Sequence, residues 1–153
     1  AKKLKDILLL GAANNSLGQV LVLKGEYDEA LVFLQRAEQL FASIDNLKGM
    51  AGVKGNLGNL YFRQGDYDRA RLYFQDSIDM GRSLDPPLVD AQIVANLGLT
   101  YMNRGEFKEG IKQQQEHLQI CEKNNDRQVS QLYNKGVSVV RYIHARLRRR
   151  YPC

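Results

Sequence analysis

The apolar positions of the chain follow the spacing of amphipathic helices. In the middle of the sequence, apolar residues recur three and four positions apart, first over residues 57–61 and again over residues 67–78. This spacing places them on one face of a helix. Between the two segments lie Gly65, which can adopt a positive φ, and Asp66, whose carboxylate can cap the next helix. The pattern therefore predicts a helical hairpin.

The same hairpin pattern occurs three times, at intervals of 40 residues. A Leu-Gly dipeptide recurs in phase with a tripeptide of glycine, an acid and an aromatic residue. The positions are Leu17-Gly18, Leu57-Gly58 and Leu97-Gly98, followed by Gly25-Glu26-Tyr27, Gly65-Asp66-Tyr67 and Gly105-Glu106-Phe107. A fixed period of this length is typical of helical solenoids. We therefore expect an all-α solenoid of three hairpins, formed by residues 11–50, 51–90 and 91–130, and a capping helix with a basic tail over residues 131–153.

The second helix of the third unit departs from the pattern. Gln113-Gln114-Gln115 and His117 occupy positions where apolar residues are expected, and Gly110 replaces the alanine of the other units. A helix that presents amides to its neighbour buries less apolar surface. We expect this helix to be the least well packed of the array.

The middle unit resembles the tetratricopeptide repeat. The matching residues are Asn56-Leu57-Gly58-Asn59-Leu60-Tyr61, Gly65-Asp66-Tyr67, and Ala70 with Phe74. The usual unit has about 34 residues, so a unit of 40 implies longer helices. That length is similar to the LGN/Pins subgroup, named for a recurring Leu-Gly-Asn tripeptide. Here the tripeptide is intact only in the middle unit, and long units also occur in kinesin light chains and bacterial regulators.

The resemblance implies a non-catalytic adaptor that binds an extended or helical protein segment in a concave groove lined by the first helices. The positions expected to point into this groove are Asn15, Gln19, Asn56, Asn59, Arg63, Asn96 and Asn103. Amides both donate and accept hydrogen bonds and can hold a peptide backbone, while Arg63 can bind a carboxylate. The alternative for any single asparagine is that it braces adjacent helices. The carboxylate clamp for Hsp70 and Hsp90 tails is not expected, because only Asn56 fits its pattern.

The positive charge of the chain is confined to its C-terminal end. Residues 1–140 contain 17 basic and 17 acidic residues, whereas residues 141–153 contain five arginines and no acid. An alternative function is therefore a regulatory or nucleic-acid-associated repeat that uses this arginine-rich end. Cationic residues are also favourable at a helix C-terminus. We expect a protein partner, including segments with acidic residues, rather than a nucleic acid.

Few residues of the chain are suited to catalysis or metal binding. His117 and His144 lie in separate predicted helices, and neither is spaced with thiols or carboxylates as metal ligands require. We therefore predict no enzyme, metal or cofactor. Cys121 and Cys153 form no disulfide framework, which favours a reducing, cytoplasmic location. No apolar run approaches the roughly 18 residues of a membrane span, so no span is expected.

Overall fold

The computed structural model describes residues 1–124, which form six α-helices in three hairpins. The helices are α1 (Lys2–Lys24), α2 (Tyr27–Ala42), α3 (Leu47–Arg63), α4 (Tyr67–Ser83), α5 (Ala91–Asn103) and α6 (Phe107–Lys123). The prediction of an all-α solenoid is confirmed. The first two hairpins begin at Lys2 and Leu47, ahead of the predicted unit boundaries at 11 and 51. The predicted capping helix and basic tail, residues 131–153, lie outside the described residues.

Each hairpin turns through the same backbone motif. Gly25, Gly65 and Gly105 have φ values of 84°, 79° and 80°, in the left-handed region that glycine adopts without strain. The next residue donates its N–H to a carbonyl five positions earlier, for example Asp66 N to Tyr61 O at 2.9 Å. These bonds define a Schellman motif, which satisfies carbonyls left open at the end of a helix. As predicted, the Asp66 carboxylate caps α4, accepting from Arg69 N at 3.1 Å.

The two helices of a hairpin meet where a large side chain packs on a glycine. A Cβ atom at Gly58 would lie 2.5 Å from Cε1 of Phe74, and one at Gly18 would lie 2.7 Å from Cγ of Leu34. Such separations are far shorter than a normal contact between carbon atoms. The ring of Phe74 thus fills the space beside Gly58.

Polar residues replace this packing in the third hairpin. Gln114 takes the place of Leu34 and Phe74, and its Nε2 donates to Ala95 O at 2.9 Å. Nδ1 of His117, a buried residue, lies 2.6 Å from Ala91 O. The buried residues of α6 are Gly110, His117 and Cys121, and Ile120 packs against the core while it is only partly buried.

Neighbouring hairpins stack so that the first helices lie together. Helix α3 contacts α1 and α5, whereas α2, α4 and α6 do not contact one another within residues 1–124. Each second helix instead packs against the first helix of the next hairpin, α2 on α3 and α4 on α5. The first helices therefore form the concave side of the array.

An ion pair between Lys54 and Glu38 links the first two hairpins. The Lys54 Nζ lies 2.6 Å from Oε1 of Glu38 and above the ring of Tyr73. Burial acts to lower the pKa of Lys54, but the hydrogen bond and the charge of Glu38 outweigh it, so the pKa is raised. The ion pair between Lys54 and Glu38 therefore contributes fully to stability at neutral pH. This contribution is lost only as the pH rises through the folded-state pKa of Lys54.

Helix α1 meets the length and hydropathy criteria for a membrane span, whereas the sequence pattern predicted no span. Its 23 residues are long and apolar enough to cross a membrane, the one helix among the described residues of which this is true. Length and composition are weak evidence, because signal sequences and helices of soluble cores meet the same criteria. Gly11 and Gly18 of α1 pack closely on side chains of α2, contacts that a spanning helix would give up. Helix α1 is thus part of the repeat array.

The glycine contact gives a direct test of the hairpin packing. Gly58→Ala is expected to lower the free energy of unfolding by about 1–3 kcal/mol, because the new methyl group overlaps Phe74. Chemical denaturation followed by circular dichroism measures the change.

Gly52 in the same helix provides a matched control. A Cβ atom there would lie 3.6 Å from Nδ2 of Asn15, an ordinary contact. Gly52→Ala is expected to leave stability unchanged or raise it by up to about 1 kcal/mol through helix propensity. Equal effects of the two substitutions would show that close packing at Gly58 is not needed.

Candidate functional site

Two adjoining cavities lie along the concave side. The first has a volume of about 430 Å³ and is bounded by α1, α3 and the loop between α4 and α5. The second, of about 450 Å³, extends toward the C-terminal ends of α1 and α3. Gln19 and Asn56 line both cavities, so the two form one continuous groove. We call this surface the groove.

Six of the seven residues predicted to bind a ligand line the groove. They are Asn15, Gln19, Asn56, Asn59, Arg63 and Asn96. Asn103 lines neither cavity, although the repeat pattern placed it with the others. It is exposed near the end of α5, and its Nδ2 donates to Leu99 O in its own helix at 2.8 Å. The structure therefore brings together all of the predicted residues except Asn103.

Four of the asparagines pair across neighbouring first helices. Asn56 Nδ2 donates to Asn15 Oδ1 at 2.8 Å, and Asn96 Nδ2 donates to Asn59 Oδ1 at 2.8 Å. Asn56 and Asn96 occupy equivalent positions in their units, 40 residues apart. Each thus uses its amide to hold its helix to the first helix of the preceding hairpin. This is the bracing role that the sequence left open as an alternative.

Bracing leaves part of the hydrogen-bonding capacity of these amides unused. Asn15 and Asn59 accept through their oxygens, and neither Nδ2 group has an acceptor among the described residues. Each NH₂ group carries two hydrogens, so the groove presents donors to whatever lies in it. The natural acceptors for such donors are backbone carbonyls and carboxylates.

Basic side chains lie in both cavities. Arg63 lines the second cavity at the end of α3, is exposed, and forms no ion pair with any described carboxylate. Lys48 lines the first cavity together with Asp90, whose carboxylate caps α5 by accepting from Gln92 N at 2.8 Å. An unpaired guanidinium in a concave surface is suited to bind a carboxylate through two hydrogen bonds.

Sequence reasoning missed the apolar walls of the groove. Val22, Leu23 and Phe62 line the second cavity, and Leu84, Leu88 and Ile93 line the first. The position shared by Val22 and Phe62 in the repeat is apolar in both units, which could have indicated a common surface. Leu84 and Leu88 belong to a loop without an equivalent between α2 and α3, so periodicity could not have placed them. Apolar walls beside polar donors are usual in binding sites.

Within residues 1–124, no group of three or more histidine, cysteine, aspartate or glutamate residues is arranged to hold a metal ion. His117 instead packs in the third hairpin, with its Nε2 3.7 Å from Sγ of Cys121.

Comparison with known families identifies the repeat independently. Two tetratricopeptide repeat models match the chain, one over residues 9–83 and the other over residues 56–125. No curated protein matches the sequence. The LGN/Pins subgroup is not distinguished by these matches and stays a prediction.

Solved structures share the architecture at low sequence identity. The chain is similar to BtubC (BKLC) from P. vanneervenii, with 23% identity and a TM-score of 0.67 over 75% of this chain and 48% of that one. It is also similar to the TPR domain of Arabidopsis FLU, with 15% identity and a TM-score of 0.70 over 76% of this chain and 98% of that one. The chain thus corresponds to about half of BtubC. At these identities the likeness shows the fold alone.

The bracing role of the asparagines can be tested separately from binding. Asn59→Ala is expected to lower the free energy of unfolding by about 1 kcal/mol, because Asn96 loses its acceptor. Asn103→Ala is the control, since Asn103 bonds only within its own helix, and it is expected to be neutral. Urea denaturation of the two variants beside the parent measures both effects. A neutral Asn59→Ala would mean that the amide pair does not hold the hairpins together.

Proposed function

The chain belongs to the tetratricopeptide repeat family, whose repeats generally mediate protein–protein interactions, and we propose that it binds segments of a partner protein in its groove. One observation carries the proposal. Six predicted groove residues line a continuous concavity in which amide donors and a guanidinium have no partner among the described residues. The protein would act as a non-catalytic adaptor, in keeping with the typical role of the family.

The NH₂ groups of Asn15 and Asn59 would hold the backbone of the bound segment. They lie on successive first helices, so an extended segment along the groove can offer a carbonyl to each. Hydrogen bonds to the backbone do not depend on ligand side chains and provide affinity without sequence selectivity. The bracing bonds fix the orientation of both amides before binding, which reduces the entropy lost on complex formation.

Selectivity would come from Arg63 and the apolar walls. An acidic side chain or a chain-terminal carboxylate near Arg63 gains a charged pair of hydrogen bonds. Phe62 and Leu23, in the same cavity, offer apolar surface for an adjacent aliphatic side chain. The preferred ligand is therefore a segment with an acidic residue next to an apolar one.

The proposal includes a cytoplasmic location, which is supported by the absence of a disulfide framework in the sequence.

The arginine-rich C-terminal end offers the rival function, a contact with nucleic acid or another polyanion. Contacts with phosphates weaken steeply with salt, with a slope near −0.9 per contact on duplex DNA. Binding through neutral amides responds much less to salt.

Asn59→Asp separates binding from bracing at one residue. The carboxylate keeps an oxygen for Asn96 Nδ2 but removes the donor that faces the groove. With a peptide selected on the full chain from a display library, calorimetry should show weaker binding by about 0.5–1.5 kcal/mol or more. Stability should change less than in Asn59→Ala. Unchanged affinity for every selected peptide would exclude the amide donor from the site.

Arg63→Glu tests the acidic preference. Peptides selected by the parent are expected to be enriched in Asp or Glu, and the substitution should weaken their binding by about 1.5–3 kcal/mol, as for a hydrogen bond to a charged group. Arg36→Glu is the matched control, since Arg36 lies on α2 outside the groove and undergoes the same charge change. If the two variants lose affinity equally, the effect is due to net charge and not to the groove.

Substitution of Arg148 and Arg149 by Ser distinguishes binding in the groove from polyanion binding by the arginine-rich end. The groove proposal predicts unchanged peptide affinity for this variant at all salt concentrations. Loss of binding in the tail variant, with the groove variants unaffected, would identify the basic end as the binding surface.

A further inference from the structure

The first cavity of the groove has an apolar wall. Leu84, Leu88 and Ile93 line it, together with the small residues Ala51 and Gly52 of α3. The volume of about 430 Å³ lies within the range of roughly 300–1,000 Å³ that is usual for ligand pockets. This part of the groove is therefore large enough to admit a whole side chain.

The loop that forms the wall, residues 84–90, is held in place by its backbone. Leu88 N donates to Gly81 O at 2.9 Å, and a Cβ atom at Gly81 would overlap Leu88 O. Val89 packs against the hydrophobic core. The side chain of Leu88 lines the cavity and is 52% exposed. The wall is thus formed in the unbound chain, and its leucine surface is open to a ligand.

The polar group at this wall already has a partner. Ser77 lines the cavity, and its Oγ donates to Ala51 O at 2.8 Å. Ile93 is held against α3, because a Cβ atom at Gly55 would lie 2.8 Å from its Cδ1. An apolar side chain can therefore cover Ser77 without leaving its hydroxyl donor unpaired.

We propose that the first cavity binds an apolar side chain of the partner segment and that Leu88 determines which side chain is accepted. The inference rests on the proposed function of the groove and adds a second recognition site to it. Contact with the ligand removes exposed leucine surface from water, which favours binding. The ligand is then a segment with an apolar anchor in the first cavity and an acidic residue at Arg63 in the second.

The charges of the two cavities determine the orientation of this segment. Lys48 and Asp90 line the first cavity and cancel in charge, whereas Arg63 is the one charged residue among the described residues that line the second. The acidic residue of the ligand is therefore attracted to the second cavity. Its anchor then lies in the first.

The open amides require an extended ligand. Asn15 lines the first cavity and Asn59 the second, and each presents an NH₂ group that needs an acceptor. A helical segment engages its carbonyls in its own backbone hydrogen bonds, whereas an extended segment leaves them open.

The length of the groove sets the spacing between anchor and acid. Gly52 and Arg63 lie 11 positions apart on α3. That separation is about 16 Å at roughly 1.5 Å per residue, and an extended segment spans it with about five residues at roughly 3.3 Å each.

Peptides selected from a random display library on the full chain test the spacing. They are expected to share an acidic residue and an aliphatic or aromatic residue about five positions from it. Anchors about 11 positions away would indicate a helical ligand. That result, or the absence of any preferred spacing, would overturn the proposal.

A double-mutant cycle between Leu88 and the peptide tests the anchor site. For a selected peptide, Leu88→Ala is expected to weaken binding about 10-fold, measured by fluorescence anisotropy. For the same peptide with Ala in place of its anchor, Leu88→Ala should change the affinity by less than about 2-fold, because the contact is already lost.

A second cycle, between Arg63→Glu and the acidic residue of the peptide, separates this proposal from the function of the groove. If that cycle shows coupling while the effects of Leu88→Ala and anchor removal are additive, the anchor site is overturned and binding in the groove stands. If neither cycle shows coupling, the proposed function fails as well.

Leu72→Ala is the matched control for Leu88→Ala. Leu72 is 54% exposed on α4 and lines neither cavity, so the same side chain is removed at similar exposure. Affinity for the selected peptide should be unchanged. An equal loss in the two variants would show that the effect does not arise in the first cavity and would overturn the proposal.

Gly81→Ala tests the positioning of Leu88 by its backbone. The added methyl group overlaps Leu88 O and displaces the loop. The variant is expected to lose the preference for the anchored peptide over its Ala counterpart and to keep the coupling between Arg63 and the acidic residue. A general loss of folding, monitored by circular dichroism, would not produce this split. An unchanged anchor preference in the folded variant would overturn the role of Gly81.

Discussion

The array depends on the contact between a large side chain of each second helix and the backbone of a glycine in each first helix. Leu34 on Gly18 and Phe74 on Gly58 hold the hairpins so closely that a methyl group at either glycine would overlap its partner. In the third hairpin Gln114 occupies the same place, 2.6 Å from the Cβ position of Gly98, and its amide bonds the backbone of α5. The geometry is thus kept by a hydrogen bond where apolar packing is reduced. The two helices approach closely in all three hairpins, whereas the side chain that fills the contact is Leu34, Phe74 or Gln114.

This contact also determines where the groove lies. Because each second helix occupies the side of α1, α3 or α5 that carries the glycine, the remaining sides face either the neighbouring hairpin or the concave surface. Asn56 and Asn96 lie at the border between these two sides. They reach the preceding first helix, and the amides they bond, those of Asn15 and Asn59, are left with donors toward the groove. Under the proposed function, bracing and ligand presentation would therefore be two consequences of one amide pair and not alternatives at these residues.

The turns could be predicted from sequence because their causes are local. A glycine with positive φ and an acid at the next helix start are specified within a few residues, and they recur at each of Gly25, Gly65 and Gly105. The groove could be predicted only in part. Six of the residues selected by the repeat register line the cavities, but the partner of each amide depends on the neighbouring hairpin, and Asn103 lies beyond both cavities. The wall formed by Leu84 and Leu88 depends on a loop in which Leu88 O packs against Gly81, an arrangement without a counterpart among the other loops of residues 1–124.

The first hairpin shows why residue type alone does not determine burial. Leu17 and Leu57 are the same residue at the same position of the repeat, yet Leu17 is 44% exposed and Leu57 is in the core. The difference is that α2 packs on α3, whereas no helix among residues 1–124 packs on the corresponding side of α1. In repeat arrays much of the stability comes from interfaces between units, so a hairpin with one neighbour is less stable than one with two. Apolar surface contributes about 25 cal/mol per Å² when it is removed from water. Burial of Leu17 in the same way as Leu57 would therefore stabilise the first hairpin, which supplies Asn15 and Gln19 to the groove.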